Sequence, residues 1–223
     1  MNYSLIIPIY NEGHTLKLLL NKLDKLNNNI EIIIIDDGSN DETKTILENQ
    51  SLCKVIYNKD NYGKGFSIIT GINKAQNDNI ILMDGDLEID LSCVGSITSR
   101  FELFKNHVVI GNRWNNDDLN ININTYGNYF FNLIFNFLYG TKIKDILCCV
   151  KVIEKDLFKS LDLQSQGFSI EAELMSKIAL KRISFTEIDI NYKRRSNNQG
   201  KKLKISDGWA ILWEMIKVKF KKK

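Results

Sequence analysis

Asp84-Gly85-Asp86-Leu87-Glu88 sets carboxylates at positions i, i+2 and i+4, directly after the apolar run Asn79–Met83. In extended backbone alternate side chains share one face, so the spacing predicts three acids pointing the same way. Hard divalent cations take oxygen ligands, and Mg²⁺ is typically held by one or two carboxylates together with phosphate oxygens. A lone Asp-x-Asp reads more simply as a solvated turn. Its place behind a buried strand favours the metal. A second acidic group, Asp36-Asp37-Gly38-Ser39, follows the isoleucine run Glu31–Ile35. It reads equally as a turn, or as a carboxylate that accepts bonds from a nucleobase N–H or a ribose hydroxyl.

Three further groups carry polar chemistry. Gly63-Lys64-Gly65 opens a helical segment, where glycines permit close backbone approach and a helix N-terminus favours anions. It lacks the spacing of the Walker A loop and of the dinucleotide fingerprint, and taken alone it reads as a plain loop. Arg113 stands in Gly111-Asn112-Arg113-Trp114, where the strand-like run Val108–Ile110 ends, which suits a guanidinium that grips phosphate with two N–H groups. Arg194, Arg195, Lys201 and Lys202 form a basic loop, whose lysines also read as a solvated surface. The two histidines, His14 and His107, fall on expected helix or loop surface and receive no catalytic role.

These residues need elements to hold them. Ser4–Ile9, Glu31–Ile35, Lys54–Tyr57 and Asn79–Met83 read as strands, and the Ile-rich ones as strands buried on both faces. Between them, Thr15–Leu26 carries Leu16, Leu19, Leu20 and Leu23 at helical spacing, and Asp41–Glu48 and Gly65–Ala75 read as helices. This alternation predicts an α/β fold with a mostly parallel sheet flanked by helices. In such sheets ligands bind beyond the carboxyl ends of the strands. Pro8-Ile9-Tyr10-Asn11-Glu12, Asp36–Ser39 and Asp84–Glu88 stand there. Downstream, Tyr126–Leu138 and Ile170–Leu180 read as helices, and Asp145–Ile153 and Ile183–Tyr192 as strands. A last helix begins near Asp207 with Ser206 as its expected N-cap.

The chain has 223 residues, enough for one domain with a sizeable core. With 43% apolar and 26% charged residues it is a globular chain rather than a disordered one, and its single proline, Pro8, excludes a proline-rich linker. Cys53, Cys93, Cys148 and Cys149 form no C-x-x-C pair and read as reduced thiols of a cytoplasmic protein. The N-terminus has no basic segment or cleavage site of a signal peptide, and no stretch reaches the roughly 18 apolar residues of a membrane span. The net charge is +3, yet residues 193–223 hold eleven Lys/Arg against Asp207 and Glu214. The end is therefore strongly basic and the body mildly acidic.

In order, Pro8-x-Tyr10-Asn11-Glu12, Asp36-Asp37-Gly38-Ser39, Gly63-Lys64-Gly65, Asp84-x-Asp86 and Gly111-x-Arg113 resemble the family 2 glycosyltransferases of GT-A fold. Asp145-x-x-Cys148, Gly167-Phe168, Glu187 with Tyr192 and Arg195, and Lys202-Leu203 are similar to those of its polyprenyl-phosphate sugar transferases, such as dolichol-phosphate mannosyltransferase. The resemblance implies one GT-A domain over 1–204, with a nucleotide-sugar half (1–110) and an acceptor half (111–204), followed by a helix and tail at 205–223. Pro8, Tyr10, Glu12, Ile35, Asp37, Lys64, Asp84 and Gly85 would bind the donor. Asp84, Asp86 and Glu88 would hold Mg²⁺ or Mn²⁺. Arg113, Arg195 and Lys202 would contact the donor diphosphate or the acceptor phosphate, with Asp86, Arg113 and Arg195 as the catalytic set. Three departures stand out. Glu88 replaces a Gln common in relatives, Lys201 competes with Lys202 for one position, and no Lys or Arg lies between Arg113 and Lys142.

The implied reaction moves a sugar, with inversion, from a GDP- or UDP-sugar to a polyprenyl phosphate. A phosphate acceptor is largely dianionic at neutral pH and needs no general base. A glycan hydroxyl would need one, recruited from Asp145 or Asp117. A non-catalytic, membrane-recruited nucleotide-sugar-binding module is the other alternative, and the intact Asp84/Asp86 pair speaks against it. A lipid acceptor implies a membrane surface, with a membrane-embedded subunit as a further partner. Trp209, Leu212, Trp213, Ile216 and Phe220 form one stripe beside Lys217, Lys219 and Lys221–Lys223, the pattern of an interfacial helix. A helix packed on the domain is the equal alternative. Tyr129–Leu138 is a second membrane-facing candidate. Nucleic acid is not expected, since the basic loop lacks interleaved aromatics.

Overall fold

The computed structural model describes residues 1–26, 29–104, 108–114, 123–194 and 205–221. The first half alternates strand and helix as the sequence pattern predicts. It runs β1 (Tyr3–Ile9), α1 (Gly13–Leu23), β2 (Ile30–Asp36), α2 (Thr43–Glu48), β3 (Lys54–Tyr57), α3 (Lys64–Lys74) and β4 (Asn79–Leu82). There follow α4 (Cys93–Leu103), β5 (Val108–Asn112), α5 (Ile123–Tyr139), β6 (Lys151–Glu154), α6 (Lys155–Ser160), α7 (Ile170–Leu180), β7 (Phe185–Asp189) and α8 (Ile205–Phe220).

The strands form one seven-stranded sheet in the order β3-β2-β1-β4-β6-β5-β7. Strands β1, β2, β3 and β4 pair parallel, as do β5 and β7, while β6 runs antiparallel to both its neighbours. The sheet is thus mixed but mainly parallel, an α/β layer covered by helices. Its centre is dry: Leu5, Ile6, Ile7, Ile33, Ile34, Ile35, Ile80 and Ile81 are fully buried. Fully burying such a side chain contributes roughly 1.5–3 kcal/mol, so this run of isoleucines specifies the middle of the fold.

Strand direction decides where chemistry collects. The carboxyl ends of β1, β2, β4, β5 and β7 lie on one edge. Because β6 runs the other way, its amino end, with Cys148 and Cys149 just before it, lies on that edge too.

Three local expectations change. The segment expected as a strand over Asp145–Ile153 is extended only at Lys151–Glu154. Residues before it form turns, because Asp145 leaves the sheet to bind the main chain and side chain of Arg113. Ser206 lies inside α8 rather than capping it. Finally, Asp84–Glu88 is bent, not extended. Leu87 takes a left-handed φ of 61°, and the Glu88 N–H donates to Asp86 Oδ1 at 3.0 Å. That side-chain turn overrides the period of two on which the shared-face expectation rested.

Candidate active site

A small cavity opens at the carboxyl edge of the sheet. Asp84, Asp86, Glu88, Ile89, Arg113, Leu147, Cys149 and Tyr192 line it. The acids come from the turn after β4, Arg113 from the end of β5, Leu147 and Cys149 from the turns before β6, and Tyr192 from beyond β7. An isolated bridge between Ile89 and Tyr192 joins the acidic turn to the start of the basic loop. The Lys193 N–H donates to the Glu88 carbonyl at 2.7 Å, and the Tyr192 hydroxyl donates to Glu88 Oε2 at 3.1 Å.

Arg113 is fixed rather than free to swing. Its Nε donates to Asp145 Oδ2 at 2.7 Å, its Nη2 to Asp145 Oδ1 at 2.8 Å, and its own N–H to Asp145 Oδ2 at 3.2 Å. The guanidinium lies 5.3 Å from the Trp114 ring and 5.4 Å from the Tyr192 ring, within cation–π range. Burial alone would lower the Arg113 pKa, but Asp145 outweighs it and keeps the group charged. Asp145 has no exposed surface, and each of its oxygens accepts from Arg113. Beside this pair, the Trp114 indole N–H is buried with no hydrogen-bond partner among the described residues.

Asp84 faces a cation of the protein's own. Lys64 Nζ lies 2.7 Å from Asp84 Oδ1 and donates to Oδ2 at 3.0 Å. Burial works to raise the Asp84 pKa, but the Lys64 ammonium, with smaller help from the Cys149 thiol and Arg113, brings it below the usual carboxylate range. Lys64 shifts the opposite way. Burial disfavours its charge, yet Asp84 and Glu171 together hold its pKa above the ordinary lysine value. The sequence expectation placed Lys64 on the donor, whereas its ammonium is committed to these two carboxylates.

Of the expected donor-binding residues, Pro8 and Ile35 face each other in the β1–β2 register. The Ile35 side chain is fully buried in the core, so only its main chain is available to a ligand. Tyr10 stands just past β1, while Glu12 is buried at the start of α1, where its Oε2 accepts from the Thr15 hydroxyl at 3.2 Å. Asp37 is also buried. Its carboxylate accepts from Asn58 Nδ2, the Tyr62 N–H and the Gly63 N–H at 2.8, 3.1 and 2.7 Å. It thereby staples the loop that leads into α3. Gly85 packs into the core, where an added Cβ would sit 2.4 Å from Ile9 Cγ2. The glycines flanking Lys64 serve protein backbone. An added Cβ at Gly65 would lie 2.1 Å from the Ser165 carbonyl, and the Phe66 N–H donates to the Gln166 carbonyl at 3.0 Å.

Arg195, Lys201, Lys202, Asp117 and His107 lie outside the described residues. Glu171, Lys151 and Tyr192 escaped any assignment from the sequence beyond Tyr192's place in the resemblance. The missed signal is Glu171, a glutamate among the buried residues of the helix Ile170–Leu180, facing a lysine at the start of a buried strand.

Among the described residues no three His, Cys, Asp or Glu side chains stand in metal-holding geometry. Asp86 and Glu88 nevertheless fit a hard divalent cation, since both are oxygen donors on one cavity wall and a bound diphosphate would complete the shell. Asp84 fits it less well, because Lys64 already compensates its charge.

This architecture, a mainly parallel sheet with an acidic turn and a clamped arginine at its carboxyl edge, is that of a GT-A glycosyltransferase. The family model for glycosyl transferase family 2 matches residues 4–162, and the chain belongs to that family. It is 25% identical to glycosyltransferase AglJ of Haloferax volcanii over 217 residues, covering 96% of this chain and 70% of that protein. Undecaprenyl-phosphate 4-deoxy-4-formamido-L-arabinose transferase of Shewanella sediminis is 24% identical over 208 residues, 89% of this chain and 61% of its own length. Dodecaprenyl-phosphate galacturonate synthase of Rhizobium johnstonii is 24% identical over 230 residues, 99% of this chain and 67% of its own. The chain thus spans roughly two thirds of such relatives. Among solved structures, glucosyl-3-phosphoglycerate synthase of Mycobacterium tuberculosis with Mn²⁺, UDP and glucosyl-3-phosphoglycerate superposes with a TM-score of 0.77 at 14% identity. That match covers 97% of this chain and 79% of the other.

Proposed function

We propose that this glycosyltransferase moves a sugar from a UDP- or GDP-sugar to a polyprenyl phosphate, with inversion, using Mg²⁺ or Mn²⁺ held by Asp86 and Glu88. The observation that carries the acceptor class is the state of Asp145. Of the two carboxylates that a hydroxyl acceptor would recruit as general base, Asp145 and Asp117, Asp145 is fully buried with each oxygen bonded to Arg113. A phosphate oxygen needs no base. It needs positive charge and N–H donors, which the Arg113 guanidinium supplies at the cavity wall. The names of the Shewanella and Rhizobium relatives point to the same acceptor class.

The phosphate oxygen attacks the anomeric carbon from the side opposite the leaving diphosphate, and a single displacement of this kind inverts the centre. Arg113, held by Asp145, orients the nucleophile, so catalysis rests mainly on positioning and electrostatics. A divalent cation on Asp86 and Glu88 would neutralise charge on the departing diphosphate. Arg195 and Lys202 extend the acceptor grip in this reading.

The membrane supplies the lipid. Trp209, Trp213 and Phe220 of α8 are 70%, 64% and 68% exposed, while Ile211, Met215 and Val218 on the other face are buried. Helix α5 lies alongside, with the Tyr139 hydroxyl donating to the Met215 carbonyl at 2.7 Å. It exposes Tyr129, Phe130, Leu133 and Phe137. Two aromatic-rich faces beside Lys217, Lys219 and Lys221 suit peripheral attachment at an anionic, cytoplasmic membrane surface. Among the described residues no helix is long and apolar enough to cross a bilayer.

The test is a thermal-shift panel of UDP- and GDP-sugars with Mg²⁺ or Mn²⁺, followed by turnover with polyprenyl phosphate in vesicles. Stabilisation by one nucleotide and formation of a lipid-phosphate sugar are expected. Transfer to a glycan hydroxyl instead, or no product with any donor, refutes the reading.

A further inference from the structure

Behind the cavity, charged side chains continue into the core. Lys151 of β6 is fully buried, and its ammonium contacts both the Cys148 carbonyl and Glu171 Oε2. Glu171 of α7 is 4% exposed, and its Oε1 lies 3.1 Å from Lys64 Nζ at the start of α3. Lys64 in turn holds both oxygens of Asp84, at 2.7 and 3.0 Å. Each of four elements or turns contributes one charge, the signs alternate, and of the four side chains only Asp84 lines the cavity.

Stability does not explain this row. Burying charged groups is costly, and well-packed apolar side chains of similar volume often serve a core as well or better. The arrangement does have a directional logic. Lys64 stands between two carboxylates and carries one charge. Lys151 supplies the missing positive charge on the far side of Glu171, so Glu171 does not compete with Asp84 for Lys64. Asp84 is then held at both oxygens, in one place, at the mouth of the site. Neither Lys151 nor Glu171 lines that mouth themselves.

We infer that Glu171 and Lys151 are positioning residues for the donor. Through Lys64 they fix the orientation of Asp84 at the cavity wall, and so set the affinity for the nucleoside diphosphate part of the nucleotide-sugar. This rests on the proposed nucleotide-sugar donor and on the resemblance's placing of Asp84 among the residues that bind it. Partners behind a ligand-binding group typically carry 10–100-fold of affinity or activity in the comparable case of metal ligands.

The experiment uses the full chain and isothermal titration with UDP and with GDP in the presence of Mn²⁺. The single variants Glu171→Gln and Lys151→Met each strand a buried charge and are expected to melt at lower temperature. The double variant Glu171→Gln/Lys151→Met removes both charges and is expected to fold. Its nucleotide affinity should fall about tenfold, its donor KM should rise, and its acceptor KM should stay within twofold of the parent. Glu171→Asp, which keeps the charge and shortens its reach, should show the same donor-selective loss well below its melting temperature. In a Lys64→Met background the double change should add little further loss, because the effect travels through Lys64. Double and Asp variants that bind nucleotide as the parent does would overturn the positioning role. So would equal losses at the donor and acceptor sites, which indicate general loosening. A parent protein that binds neither UDP nor GDP would refute the donor reading itself, and the positioning role with it.

Discussion

Asp145→Asn removes one charge and little volume from the centre of the site. Asp145 is fully buried and the Arg113 side chain is 12% exposed, so their bidentate pair is largely shielded from water. The variant leaves a buried guanidinium opposite an amide, one of whose two ends now presents N–H groups to N–H groups. Breaking a buried pair by removing one partner costs about 3–5 kcal/mol. That is a large share of the roughly 5–15 kcal/mol by which a domain is stable. Urea unfolding followed by tryptophan fluorescence suits the measurement, since Trp114 sits against Arg113. The expected result is a fall in midpoint at unchanged slope, equivalent to about 3–5 kcal/mol. A loss below about 1 kcal/mol, the value of an exposed pair, would refute the claim that this pair is a shielded clamp. Turnover adds a second edge. If Arg113 positions a phosphate, the folded variant keeps residual turnover with a raised acceptor KM. If Asp145 is a general base, the folded variant has none.

Gly65→Ala drives a Cβ to 2.1 Å from the Ser165 carbonyl, a backbone atom, and should cost about 1–3 kcal/mol by thermal or urea melting. Glu173 is tied to the Gln164 and Ser165 N–H groups and to Lys177. Burial would raise its pKa, but these partners hold it below the ordinary glutamate value of 4.5. Its contribution is therefore complete above about pH 4.5 and is lost as pH falls through the depressed value, so Glu173→Gln should flatten the acid limb of a stability-against-pH curve. Trp209→Ser with Trp213→Ser removes exposed rings only. Flotation with anionic liposomes should drop sharply while the melting temperature holds, and unchanged flotation would refute attachment through α8.

Much of the fold was legible because its signals are local. Ile32 to Ile35 can only be a buried strand, and the leucines of α1 keep a helical period. The carboxyl-edge placement of Asp84, Asp86 and Arg113 followed from that alternation. What escaped were features set by distant partners. Helix α6 has six residues, too few to show a period. The turns at Asp145 arise from an arginine thirty-two residues earlier, which no window along the chain reveals. The glycines beside Lys64, which taken alone read as a plain loop, make room for the backbone of residues 165–167. Asp37, an even choice between turn and ligand, proved to hold a loop through three N–H groups. Its remaining acceptor capacity is what a nucleoside would have to use.

The position of β6 has a consequence for how the chain is made. It fills the gap between β4 and β5, pairing over four residue pairs with the first and two with the second. Until residues 151–154 leave the ribosome, the Ile80–Leu82 edge of an already parallel four-strand sheet stands open, a template for strand addition by other chains. The seam that later closes it is four residue pairs long, and it is where Lys151, opposite Leu82, brings its charge. Synthesis of this one strand therefore ends an aggregation-prone interval and brings Lys151 to Glu171 behind the cavity.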